Sequence, residues 1–146
     1  MVIATMTIND YDELRQLWLN TPGMGLNEID DSREGIARYL KRNPTTCFIA
    51  REEGQLVGSI LSGHDGRRGY IYHTAVAVEA RKQGVGSALV EYMIEALKEE
   101  GITKVALLAF ANNELGNAFW ESQGFTLRDD IVYRNKEIVR LEKIEI

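Results

Sequence analysis

A cluster of cations and glycines, Arg81-Lys82-Gln83-Gly84-Val85-Gly86-Ser87, stands between an apolar stretch that ends at Val78 and a long amphipathic one. Such a turn suits an anion. The first amides of a helix have no intrahelical partner and point out of its N-terminus, where the helix dipole adds partial positive charge. Glycines let the backbone come close to a ligand, and a pyrophosphate fits there. Arg81 and Lys82 add formal charge on the same side. A plain strand-to-helix turn with surface cations has the same local pattern. A dinucleotide fingerprint, G-x-G-x-x-G, fails at its third glycine, where Leu89 stands, and the following apolar stretch, Lys104–Phe110, carries no acidic residue at its end. No G-x-x-x-x-G-K-[ST] loop is present.

The elements that must position this turn follow from periodicity. Val2–Ile8 alternates as a first strand. Asn9 or Asp10 can cap a helix whose apolar positions are Tyr11, Leu14, Leu17 and Trp18, and Pro22-Gly23-Met24-Gly25 breaks it. Asp31 or Ser32 can cap a second helix with Ile36, Ala37, Tyr39 and Leu40, ended by Asn43-Pro44. Strands are predicted at Thr46–Arg51, Leu56–Gly63 and Tyr70–Val78, the first two joined by a tight Glu53-Gly54 turn. Past the glycine turn, Val85, Leu89, Tyr92, Met93, Ala96 and Leu97 recur at helical steps, and Gly101 can end that helix in a left-handed cap. Lys104–Phe110 reads as a continuous strand covered on both faces. Asn113–Gln123 is a short helix stopped by Gly124, and Phe125–Leu127 and Ile138–Ile146 read as closing strands. The order is β-α-α-β-β-β-α-β-α-β-β, a single α/β (α+β) domain over residues 1–146.

The chain has 146 residues, 45% apolar and 27% charged, with a formal net charge of −5. This length can bury one core without metals or disulfides, and Cys47 has no cysteine to pair with. The acidic balance opposes a broad nucleic-acid surface. No apolar stretch nears the ~20 residues a membrane span needs. Asp10, Asp12 and Glu13 do not form a signal-peptide pattern. The expectation is a cytoplasmic protein with no nucleic-acid or membrane partner, and with a homodimer open. No histidine or cysteine cluster suggests a metal.

Arg81-Lys82-Gln83-Gly84-Val85-Gly86 resembles the [QR]-x-x-G-x-[GA] signature of the GNAT superfamily of N-acetyltransferases. The segment Phe119-Trp120-Glu121-Ser122-Gln123-Gly124-Phe125 resembles that superfamily's closing aromatic-x-x-x-Gly-Phe segment, and Asn113 stands where many members have an asparagine that contacts pantetheine. The resemblance covers nearly the whole chain. It implies a mostly antiparallel mixed sheet flanked by about four helices, with acetyl-CoA as co-substrate. It places pantetheine along Val76, Ala77 and Val78, and the pyrophosphate on Arg81, Lys82, Gln83, Gly84, Val85, Gly86 and Ser87. Valine replaces the usual proline at Val78, and lysine a frequent glycine at Lys82. Trp120 stands where members often carry a tyrosine that acts as general acid.

The implied reaction is attack of a neutral amine, on a small molecule or a peptide, at the thioester. A backbone amide near Val76 is the candidate oxyanion donor. Since a thiol of pKa about 8.5 leaves tolerably as thiolate even without a strong acid, losing the usual tyrosine weakens the mechanistic assignment more than it weakens the expectation of an enzyme. The candidate proton handlers are Tyr70, Tyr72, His73 and Tyr133. Strand alternation puts Tyr70, Tyr72 and Thr74 on one face and His73 on the other, so only one set can look into the site. For the acceptor, the candidates are Trp18, Met24, Leu26, Glu28, Asp30 and Asp31, whose carboxylates could attract a cationic amine. A non-catalytic acyl-CoA-binding module and a protein N-terminal acetyltransferase are the alternatives.

Overall fold

In the computed structural model, which describes residues 1–144, the predicted order holds through the fourth helix. Strand β1 (Val2–Thr5) is followed by helices α1 (Tyr11–Leu19) and α2 (Arg33–Arg42). Strands β2 (Phe48–Glu52), β3 (Gln55–His64) and β4 (Gly69–Val76) come next, then α3 (Val85–Glu99), β5 (Val105–Leu107) and α4 (Glu114–Ser122). The strands form one sheet in chain order, β1-β2-β3-β4-β5. All neighbours are antiparallel except β4 and β5, which run parallel. The β2–β3 hairpin turns at Glu53-Gly54, both with positive φ (50° and 79°), the twist that tight hairpins favour.

Two apolar layers cover the sheet. On one face Leu14, Leu17, Trp18, Ile36 and Leu40 of α1 and α2 pack against Cys47, Ile49 and Leu61. On the other, Val85, Leu89, Met93 and Leu97 of α3 pack against Phe48, Ile60 and Ile71. Each fully buried Leu or Met contributes about 1.5–3 kcal/mol, so these stripes fix how the helices lie on the sheet. Helix α3 closes as predicted: Gly101 has φ 79°, and Ile102 N donates to Leu97 O at 3.0 Å, the bond that joins the residue past a left-handed cap to the last turn.

The C-terminal expectations fail in three places. Lys104–Phe110 is a strand only over Val105–Leu107 and is half-buried, with Ala106, Leu108 and Phe110 exposed. Its ladder to β4 ends at Ile71↔Leu107, and its other edge has no partner strand among the described residues. Phe125–Leu127 joins no strand, and Leu127 is exposed. The alternation of Ile138–Ile146 does not build a strand over the described part, and residues 145 and 146 lie outside the described residues. Instead this segment pins the α1–α2 connection. Glu28 N donates to Glu142 O and Ile144 N to Leu26 O, both at 3.0 Å, and Ile144 is buried.

Candidate active site

The glycine turn is built for close approach. Gly84 caps α3 in the left-handed conformation with φ 82°, a region that costs other residues about 1–2 kcal/mol. A side chain added there would meet nothing within 4 Å, so the outside of the turn is open. Helical hydrogen bonding starts with Ala88 N on Gly84 O. Among the described residues, the amides of Lys82 through Ser87 have no hydrogen-bond partner. Lys82 also has positive φ, 63°, which turns its amide relative to its neighbours as in an anion-binding nest. Two side chains brace the turn: Gln83 Nε2 donates to Glu79 O, and Gln123 Nε2 of the α4 end donates to Ser87 Oγ at 2.9 Å.

Beside this turn the sheet splits. Strand β4 continues for five residues beyond Ile71, where its pairing with β5 stops. Among the described residues, Thr74, Ala75 and Val76 pair only with β3, opposite Ile60, Ser59 and Gly58. The β5-side edge of β4 from Tyr72 to Val76 therefore has no partner strand among them, and an extended ligand can lie along it. Arg81 Nε reaches back to Val76 O at 3.3 Å, tying the cationic start of the turn to the strand end.

Strand β4 also contains a bulge. Ser62 faces Ile71 while Ile60 faces Thr74, so Tyr72 and His73 together oppose Leu61. Two residues against one leave both on the same face and bend the strand. The alternation expected from the sequence is overturned here: Tyr72 and His73 both line a cleft of about 530 Å³ between β4 and α2. Tyr70, before the bulge, shares that face, its ring 5.0 Å from that of Tyr72.

His73 is held from two sides. Its Nε2 lies 2.6 Å from Asp31 Oδ1, and both side chains are nearly buried, 11% and 5% exposed. Its ring meets Trp18 edge-on with centroids 5.0 Å apart, and Trp18 Nε1 donates to Ser59 Oγ. Asp31 is fixed in turn. Its Oδ2 accepts from Asn27 N at 2.8 Å, and its backbone carbonyl accepts from the Tyr11 hydroxyl at 2.6 Å. Ser32, not Asp31, caps α2 by accepting from Gly35 N, which frees the Asp31 carboxylate for the histidine. Gly35 is required because a Cβ there would run into the carbonyls of Ile29 and Asp30. With Nε2–H given to the carboxylate, the imidazole keeps Nδ1 as its basic nitrogen.

The profile of the Acetyltransferase (GNAT) family matches residues 11–125. The chain belongs to that family. It is an acyltransferase by kinship: an acetyltransferase of Sodalis glossinidius is 27% identical over 139 residues, covering 95% of this chain and 96% of that one. Among solved structures, Ard1 of Thermoplasma volcanium superposes with a TM-score of 0.75 at 20% identity, over 87% of this chain and 83% of that one. A Mycobacterium tuberculosis protein in complex with CoA gives 0.69 at 20% identity, over 86% of this chain and 72% of that one.

The remaining sequence-predicted residues of this acetyltransferase divide sharply. Asp30 and Asp31 line the cleft with His73. Trp18 and Leu26 are 1% and 2% exposed and have no surface for an acceptor; they form core beneath the site. Met24 packs against the same core, and Glu28 lies outside the cleft, beside α2. Tyr133 is exposed and sits near enough to Tyr70 and Tyr72 that its charge, after their burial, helps push their phenols up, Tyr70 to about 12. Those two phenols stay protonated and can donate hydrogen bonds but cannot act as bases at neutral pH. Asn113 caps α4, its Oδ1 accepting from Gly116 N at 3.0 Å, which leaves its Nδ2 for a ligand. Trp120 is wedged edge-on between Phe119 and Phe125, with centroids 5.0 and 5.1 Å away.

The sequence reading missed Tyr39, Arg38 and Arg42 of α2, which line the cleft. Tyr39 was assigned to the helix's core stripe, and it does pack there while its ring meets Tyr72 edge-on at 5.8 Å. The signal for the arginines was present: Arg42 has no acidic residue three or four positions away on α2. Among the described residues, no cluster of three histidine, cysteine or acidic side chains could hold a metal.

Proposed function

We propose that the protein transfers the acetyl group of acetyl-CoA to a primary amine, with His73 as the base that takes the amine's proton. The observation that carries this reading is the β4 bulge. It turns His73, oriented by Asp31, into the cleft at the start of the strand edge that is left free on the way to the amide-rich turn. In this reading the amides of Gln83 to Ser87 hold the pyrophosphate, with Arg81 and Lys82 adding charge. The free edge of β4 up to Val76 and Asn113 Nδ2 hold the pantetheine arm; the strand expected to run to Val78 stops at Val76, because Ala77 N bonds to Val57 O and Val78 opens a 3₁₀ turn. Known CoA binding by a protein of similar fold supports the same assignment.

The amine nitrogen attacks the thioester carbonyl, its proton passes to His73, and the C–S bond breaks to release the thiol. Neither Trp120 nor another acid is needed at that last step, since the thiol leaves as thiolate near its ordinary pKa of about 8.5. Tyr72 contributes a wall and a hydrogen-bond donor; Tyr133 stays at the rim. The acceptor belongs to a small molecule or a short peptide segment, which a cleft of about 530 Å³ can admit.

The test is thiol release from acetyl-CoA across a panel of amines, amino acids and peptides, with products identified by mass spectrometry. Gln at position 73 can keep the hydrogen bond to Asp31 but cannot accept the proton. His73→Gln should lower kcat about 10²- to 10⁴-fold while CoA still protects the protein against thermal unfolding. An active enzyme whose His73→Gln form keeps its kcat sinks the role given to the histidine. CoA binding with no turnover of any amine would favour the non-catalytic alternative, for which the packing of Trp120 between Phe119 and Phe125 is the supporting observation.

A further inference from the structure

The cleft is lined by charges of both signs. Asp30 and the His73–Asp31 pair line it from before α2 and from β4, and Arg38 and Arg42, one turn apart, line it from the second half of α2. Arg33, on the first turn of the same helix, pairs with Asp12. Neither Arg38 nor Arg42 has a carboxylate within ion-pair distance among the described residues. Glu34 lies one turn before Arg38 and is the one acid of α2 that could swing toward it. Arg42 has Tyr39 and Arg38 at those positions, so its neighbour on that face repels it. The dipole at the end of α2 favours a cation at Arg42 but does nothing for Arg38. Two guanidinium groups that form no ion pair among the described residues and line a concave site, Arg42 with no acid near it on α2 and Arg38 with Glu34 and Glu28 nearby, match a planar or tetrahedral anion, which arginine binds with two parallel bonds. Ile36, Leu61, Tyr39 and Tyr72 supply apolar wall.

We infer that the acceptor is an amine that also carries a compact anion, a carboxylate or phosphate, which Arg42 and Arg38 bind while the amine lies beside Asp30 and His73. This deepens the proposed function and rests on the cleft being the acceptor site. It separates the acceptor from polyamines and other purely cationic amines, which the two arginines repel.

Equilibrium titration of the CoA-loaded protein tests it without relying on turnover. The standard α-amino acids are each compared with the corresponding carboxamide, and phosphoethanolamine with ethanolamine. The anionic member of at least one pair should bind about tenfold to a hundredfold more tightly, the worth of a charge-assisted contact, and whichever pair shows the larger ratio names the anion. Arg42→Gln should reduce that ratio, and Arg38→Gln with Arg42→Gln should bring it close to one, with CoA affinity unchanged. Equal binding within every pair, a ratio that survives the double substitution, or no binding by any probe overturns the inference. None of these results bears on CoA protection or on the His73→Gln comparison, so the two readings fail separately.

Discussion

Substituting Gly84 separates the electrostatics of the turn from its backbone geometry. Both Gly84→Asp and Gly84→Asn must adopt φ 82°, and asparagine and aspartate are the side chains that tolerate this region best. Neither meets protein within 4 Å of its Cβ, so each should cost the ligand-free protein about 1 kcal/mol, or ~3 °C in Tm. They differ by one negative charge. A carboxylate about 5 Å from a diphosphate of charge about −2 is repelled by roughly 2–3 kcal/mol at an effective dielectric of about 40–80. That corresponds to about a 30- to 150-fold rise in Kd for CoA. The assay is calorimetric titration of CoA into both variants, with thermal unfolding at fixed ligand as a check. The aspartate form should lose most of its CoA protection, and the asparagine form should keep most of it. Equal affinities in the two variants would mean that no diphosphate lies at the start of α3, and the pyrophosphate assignment would fall.

Other substitutions probe the frame around the site. Ser62 Oγ is buried without a hydrogen-bond partner among the described residues, so Ser62→Ala should stabilise the protein by about 1 kcal/mol in denaturant unfolding; a clear loss would mean that the hydroxyl has a partner. Burial pushes the Cys47 thiol from 9.0 to about 12, so native protein should resist iodoacetamide at pH 8 and react only through unfolding. Labelling faster than unfolding would contradict that burial. The same shift has a stability consequence, shared by Tyr70, which burial raises from 10.0 to about 12. The native state keeps protons that the unfolded chain releases, so this contribution is complete below about pH 9 and is lost as the pH climbs toward 12. The denaturation midpoint should fall across that window, and less steeply in Cys47→Ala; a profile unaffected by Cys47→Ala would refute the linkage.

Much of the site was legible because its signals are local. The glycine turn, the Gly101 cap and the hairpin at Glu53-Gly54 each depend on a few neighbouring residues whose backbone preferences leave little choice. The α3 stripe of Val85, Leu89, Met93 and Leu97 is legible for the same reason, since one face of a helix is a property of one segment. The misreadings lie where a partner decides. The alternation of Ile138–Ile146 is genuine, yet Glu142 O and Ile144 N bond to the α1–α2 connection rather than to a strand. Lys104–Phe110 is apolar enough for a central strand, but β4 pairs with only three of its residues. Trp18, expected as an acceptor contact from the first helix, is buried under the sheet, where its Nε1 donates to Ser59 Oγ.

The bulge is the deepest of these long-range decisions. A regular β4 would put His73 on the face opposite Tyr72, toward α3 and away from Asp31, and no residue type in Tyr70-Ile71-Tyr72-His73-Thr74 announces the extra residue. Its effect appears in the packing on either side. Ile71 joins the α3 core, while Ala75, four positions on and of the same parity, joins the α1–α2 core. One irregular position therefore changes which layer the end of β4 serves. Before the bulge the strand carries Tyr70 into the aromatic wall; after it, the strand presents Ala75 to the α1–α2 layer and runs toward the turn with no partner strand on its β5 side among the described residues. The carboxylate that fixes His73 comes from the connection before α2, and Asp31 is available because Ser32 takes over the capping of that helix. On the proposed reading, acceptor cleft and coenzyme edge are successive stretches of one strand, and an amine and a thioester would meet at the point where the strand breaks its own alternation.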